Sequence, residues 1–284
     1  MNEEAPAVRS TPLTLPARRA LVVQVAALPV LAAGLGWSPA AHADGTIANN
    51  HDAINKAGRL RMLSQRMAKA WLAMGQRVEP TKAQAILQAS IDTFDQHLDQ
   101  LKGYAPTAPI LGTYAALDPV WRAYKAALLQ GPPDRALAVD IQAHDAKVLK
   151  LAQQGTVQLE AHAARPTGKL VNISGRQRML SQKAAKLYLS VAWGTASPEQ
   201  VAELQQVRLE FSQALTLLQE AKESHAALLE VLDIAQQQWV FFDNALAKAG
   251  QRGNPPQHAR EVFASSENIL QIMDRATSMY SRLA

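Results

Sequence analysis

One stretch of sixteen residues occurs twice in this chain. Ile54 to Lys69 reads INKAGRLRMLSQRMAK and Val171 to Lys186 reads VNISGRQRMLSQKAAK, with ten of sixteen positions identical at a constant offset of 117. Both copies lack proline and are rich in Leu, Met, Ala, Arg, Lys and Gln, so both are predicted helices. In the first copy Leu60, Leu63, Met67, Ala70, Trp71 and Met74 recur at spacings of three and four, which makes an apolar stripe for a bundle core. That stripe accounts for few of the identities. At 100° per residue, Gly58, Arg61, Met62, Gln65 and Lys69 fall on the side away from it, as do Gly175, Arg178, Met179, Gln182 and Lys186.

A glycine inside a helix costs about 1 kcal/mol relative to alanine, so two at equivalent places predict that something approaches the backbone closely there. The simplest candidate is the other copy. Packing the two faces about a pseudo-twofold axis brings Arg61 and Arg178 together, and two guanidinium charges about 6 Å apart repel by roughly 3 kcal/mol at an effective dielectric near 20. A small planar oxyanion between them reverses the sign, because guanidinium forks donate parallel hydrogen bonds. Two other readings stand beside this one. Arg59, Arg61 and Arg66 are solvated surface charges in the first. In the second, the repeated face docks another helical protein through Met62 and Met179, whose flexible side chains adapt to a partner.

The residues Ala53 to Arg66, AINKAGRLRMLSQR, resemble the ligand-binding helix, or P-box, of the periplasmic sensor modules of NarX/NarQ nitrate and nitrite sensor kinases. NISGRQRMLSQK in the second copy is more similar to the PilJ-type chemotaxis transducers. The resemblance implies a nitrate or nitrite ion held between two arginines, one from each subunit of a homodimer. Carried over, those positions are Arg61 and Arg178, with the P-box lysine at Lys56. The second copy departs by having Ile173 at that lysine position, and the following basic position is Arg66 and then Lys183. With Gly58, Gly175, Arg59 and Arg176 these residues form the candidate anion-binding set. The copies could also pair between chains, giving a homodimer with the same local site.

The first 43 residues read as an export signal. Arg9, Arg18 and Arg19 precede an apolar run from Ala20 to Trp37, followed by Ala41-His42-Ala43, an A-x-A cleavage pattern. Cleavage places the mature protein in the periplasm; an uncleaved membrane anchor is the alternative, and Arg18-Arg19 with Leu21 weakly resembles a twin-arginine signal. Removing the segment leaves 26 basic against 22 acidic residues, a mild balance that attracts small anions but is too dispersed for nucleic acid.

From Asp44 the chain reads as eight helices in an all-α fold: two tandem antiparallel four-helix bundles, up-down-up-down, over 44–164 and 165–284. Phe94, Leu98 and Leu101 correspond to Phe211, Leu215 and Leu218 at the offset of 117, and Trp121 to Trp239 at 118. These aromatics are predicted core. Gly75 to Pro80 and Gly194 to Pro198 break the first helix of each unit, Gly131-Pro132-Pro133 and Gly253-Asn254-Pro255-Pro256 break the third, and Arg165-Pro166-Thr167-Gly168 joins the units.

The chain contains no cysteine, which excludes disulfides and thiolate metal sites. No Glu-x-x-His, H-E-x-x-H, G-x-S-x-G, phosphate-loop or dinucleotide motif occurs. The histidines are predicted surface residues, and Asp95, Asp99 and Glu210 solvated faces. Neither an enzyme nor a cofactor is expected. No kinase or methylation region follows the eighth helix, so the expected signal leaves through a partner, a membrane sensor or a transporter.

Overall fold

Helix boundaries follow the caps and breakers of the sequence. The computed structural model describes Met1 and residues 46–164, 166–251 and 256–283; the predicted export segment, 1–43, lies outside them apart from Met1. Eight α-helices occur among the described residues: α1 Asn50–Gly75, α2 Pro80–Tyr104, α3 Ala108–Leu129, α4 Ala138–Ala163, α5 Pro166–Trp193, α6 Pro198–Glu220, α7 Ala226–Leu246 and α8 Pro256–Ser281. A short 3₁₀ turn, Arg135–Leu137, precedes α4. The Asn49 side chain caps α1 by accepting from the Asp52 amide, while Asp52 accepts from the Ala48 amide in return. Ser197 and Gln200 form the reciprocal capping box at α6, so these two helices start with their orphan donors satisfied.

The joint between the halves is tighter than the sequence suggested. Arg165-Pro166-Thr167-Gly168 reads as a linker, yet α5 already begins at Pro166, and Ala164 takes a left-handed conformation at the end of α4. Two positions, 164 and 165, therefore separate α4 from α5.

The fold is all-α, two antiparallel four-helix arrangements in tandem, as the repeat predicts. In the first half α1 packs on α2 and α4, and α3 on α4; in the second α5 packs on α6 and α8, and α7 on α8. The largest helix contact is between the halves, α1 against α5, supported by α4 on α5 and α8 on α1. Residues 44–284 cluster as one compact unit.

Matched aromatic positions do matched work. Phe94 stacks on Trp121 with centroids 4.0 Å apart, and Phe211 on Trp239 at 3.8 Å. Each indole N–H donates to the polar residue one position after its phenylalanine, Trp121 to Asp95 and Trp239 to Ser212. All four rings are buried. The histidines correct one expectation in part: His51 and His97 are buried rather than on the surface, His51 lying 3.0 Å from the Thr167 hydroxyl, across the joint between α1 and α5.

Candidate functional site

The repeated polar residues face one another across α1 and α5. Arg61 and Arg178 are fully buried, as are Gln65, Gln182 and Lys69. A Cβ added at Gly58 would lie 3.3 Å from an Nη2 of both arginines, and one added at Gly175 would meet Arg178 at 3.2 Å and Arg61 at 3.8 Å. Both guanidinium groups therefore lie over the two glycines, in space that an alanine Cβ would crowd. The close approach inferred from the glycines is present, and what approaches is the arginine pair between the two copies.

The two arginines are held differently. Arg61 donates to Gln153 Oε1 at 2.7 Å and to Asn172 Oδ1 at 2.8 Å, both neutral acceptors; Asn172 in turn donates to Glu160. Arg178 donates to Asp274 Oδ1 at 2.6 Å and to the Asn55 carbonyl at 3.2 Å. Gln153 and Asp274 occupy equivalent places, because Thr156 and Thr277, at the same offset of 121, make the same helical bond to residues 152 and 273. One copy thus meets its arginine with an amide and the other with a carboxylate. Burial, followed by repulsion from Arg176 and Arg178, lowers the Arg61 pKa to about 9. Burial also lowers Arg178, to about 10, against the attraction of Asp274. The Nε of each arginine is buried without a hydrogen-bond partner.

The remaining predicted site residues spread outward. Arg59 Nη2 donates to both carboxylate oxygens of Asp274, each at 2.8 Å, which makes Asp274 the acid shared by Arg59 and Arg178. Arg176 pairs with Glu210 on α6. Lys56 pairs with Asp52 one turn earlier, at 3.4 Å. Met62 and Met179 are 5% and 3% exposed, so the expectation that they point outward to a docking partner is corrected: both belong to the hydrophobic core. The alternative of Arg61 and Arg66 as solvated charges is corrected as well, since both are buried.

One turn further along, cations of the repeat cross to the other half. Lys69 of α1 donates to Glu267 at 2.6 Å and to Ser266 at 2.9 Å on α8, and Arg66 also pairs with Glu267. Lys186 of α5, the counterpart of Lys69, donates to Asp145 of α4 at 2.6 Å, and Gln65 donates to the other oxygen of that carboxylate, also at 2.6 Å. Burial pushes the Glu267 carboxyl up, but Lys69 and Arg66 outweigh it and bring the group down to about 2. Lys69 is lowered by burial to about 8 even with Glu267 beside it. Asp145, Glu267 and Asp274 were not singled out from sequence. Their signal was a second register: the closing helices align at 121, four more than the repeat itself, and at that offset Gln153 falls on Asp274.

Among the described residues no group of three or more His, Cys, Asp and Glu is placed to hold a metal ion, and no helix is long and apolar enough to cross a membrane. The donors and acceptors around Arg61 and Arg178 can hold charge, fix the register of two helices and present guanidinium N–H groups. They include no nucleophile paired with a base.

The comparisons agree with this duplicated architecture. The family model described as type IV pili methyl-accepting chemotaxis transducer N-term, PilJ, matches residues 48–152 and again 161–264. That match carries the PilJ side of the resemblance and not the nitrate-sensor side. No curated protein and no solved structure matches the chain. The first match runs from the start of α1 into α4 and the second from the end of α4 through α5 into α8, so each takes in most of one half. The chain belongs to the PilJ family of type IV pili methyl-accepting chemotaxis transducer N-terminal domains, and it carries two of them in tandem.

Proposed function

We propose that this protein is a helical interaction module of a type IV pili or chemotaxis-like sensory system, exported to the periplasm, that acts on a membrane-associated partner protein. The observation that carries this reading is the use made of the repeated face. Its cations are met by acids and amides of both halves, and α1 and α5 close over them, so the face joins the halves into one body. Family membership supports a signalling role, and the absence of paired catalytic groups in the joint leaves binding as its mode of action.

In-cell cross-linking of the exported chain, followed by mass spectrometry of the adducts, tests the reading. Adducts dominated by a membrane transducer or receptor are expected. Adducts of the chain with itself alone contradict it.

A second reading is favoured by one observation: Arg61 is a buried cation with neutral acceptors only, and it lies beside Arg178 with an Nε to spare. A nitrate or nitrite ion taken between the two arginines would supply the missing negative charge. Lys56, Arg59 and Arg176 would then raise the local potential, while Gly58 and Gly175 make room. Titration calorimetry with nitrate and nitrite, against chloride and sulfate, decides it. Saturable heat lost in Arg61→Ala or Arg178→Ala establishes the anion, and no heat at millimolar anion removes it.

A further inference from the structure

The two halves share a core pattern and differ on one outer surface. In the α6–α7 hairpin Leu209, Leu217, Ile234, Val240 and Phe241 are exposed, Phe241 at 69% and Leu209 at 57%. At the offsets fixed by the stacked aromatic pairs, 117 for α2/α6 and 118 for α3/α7, the first half has Asp92, Gln100, Ala116, Arg122 and Ala123 at these places. The hairpin core is the same in both halves, so packing the hairpin does not require these large apolar residues. The bonds Arg208–Asp243 and Gln219–Asp233 set the antiparallel register. They bring Leu209 to the level of Val240 and Phe241, whereas Leu217 lies on the side of α6 turned away from α7.

Charge differs as sharply. Residues 198–246 contain eight acidic side chains and two basic ones, whereas 80–129, the corresponding hairpin, contain four of each. Glu210 and Glu203 are paired with Arg176 and Lys183 of α5, and the remaining excess of negative charge sits in a chain whose net charge is +5. Glu230 and Asp233 are exposed beside Ile234, and Glu220 is exposed at the end of α6. Exposed apolar side chains with acids at one end fit one kind of occupant, a helix with an apolar face and a cationic end. Anionic headgroups meet like charge there, and so does an identical face from a second copy.

We infer that the outer face of the α6–α7 hairpin is a docking surface for a cationic amphipathic helix of a partner protein. The inference rests on reading the chain as an interaction module and gives that module its contact face. Docking through the second half alone would leave the α1–α5 joint closed.

The test uses the full chain and a synthetic 18-residue helical peptide of leucine and lysine, with a leucine–glutamate peptide of the same length as control, read by fluorescence anisotropy. Two variants are compared: Leu209→Asp with Ile234→Ala and Phe241→Ala, which installs residues the first half already tolerates, and Glu230→Lys with Asp233→Lys. Binding of the lysine peptide alone, weakened about tenfold or more by each variant and by added salt, is the expected result. Equal affinity for wild type and both variants overturns the inference. So does salt-insensitive self-association that disappears in the apolar variant, which would assign the face to a second copy. Unchanged circular-dichroism melts confirm that the variants fold. A nitrate heat that persists in both variants would count against the interaction reading and leave the peptide result standing by itself.

Discussion

Arg61 and Arg178 come from one repeated position and differ in what neutralises them. Arg178 shares Asp274 with Arg59, while Arg61 has Gln153 and Asn172. Hydrogen bonds to charged partners contribute about 1 kcal/mol more than neutral ones, so Gln153→Glu is expected to raise stability by about that amount, as a higher urea midpoint. The same change is expected to abolish any response to added nitrate, because the charge the anion would supply is then built in. The Glu267 carboxyl gives a pH prediction. Its folded pKa of about 2 lies below the ordinary 4.5, so its contribution is present above pH 4.5 and is lost as pH falls toward 2. The loss is on the order of 3 kcal/mol. Glu267→Gln is expected to flatten that limb of a stability–pH curve measured by urea unfolding. Lys69 acts at the other end: with a folded value of about 8 against 10.5, the unfolded chain binds more protons between those values, and stability from this group rises with pH across that window.

At the scale of elements, α1 and α5 determine the rest, and their ends are fitted as closely as their middles. A Cβ at Gly75 would lie 2.2 Å from the Trp193 ring, which also stands 6.0 Å from Trp71. Gly75→Ala is expected to cost about 1–3 kcal/mol through overpacking, measured as a lower thermal midpoint, although alanine is the better helix former. The helices themselves were legible in the sequence because proline, glycine and the apolar period mark them strongly. So was the meeting of Gly58, Gly175, Arg61 and Arg178, because identities lying off a core stripe need another packing reason. The acids that answer the cations were not legible. Asp145, Glu267 and Asp274 look like ordinary charges on a helix face until the register of α4 and α8 is known, and the break before α8 adds three residues to the one already gained by α7, four in all from the repeat. The short α4–α5 joint was hidden for a related reason: proline and glycine read as a linker, yet the helix runs through Thr167 and Gly168.

For the whole molecule, the duplication is expressed as a joint. Arg59, Arg66 and Lys69 leave the first half for Asp274 and Glu267 of the second, and Lys186 leaves the second for Asp145 of the first. Burying these ions repays desolvation only if each is well partnered, so the two halves are expected to unfold in one cooperative transition. A single transition by both circular dichroism and tryptophan fluorescence checks this. The central claim, that the repeated face binds the two halves to each other, is tested most directly by a double-mutant cycle across Lys69 and Glu267 in urea unfolding. Lys69→Met, Glu267→Leu and the double variant are compared with wild type. The account predicts a coupling of about 2 kcal/mol or more between residues 198 positions apart in sequence. Additive effects, with a coupling near zero, would contradict it.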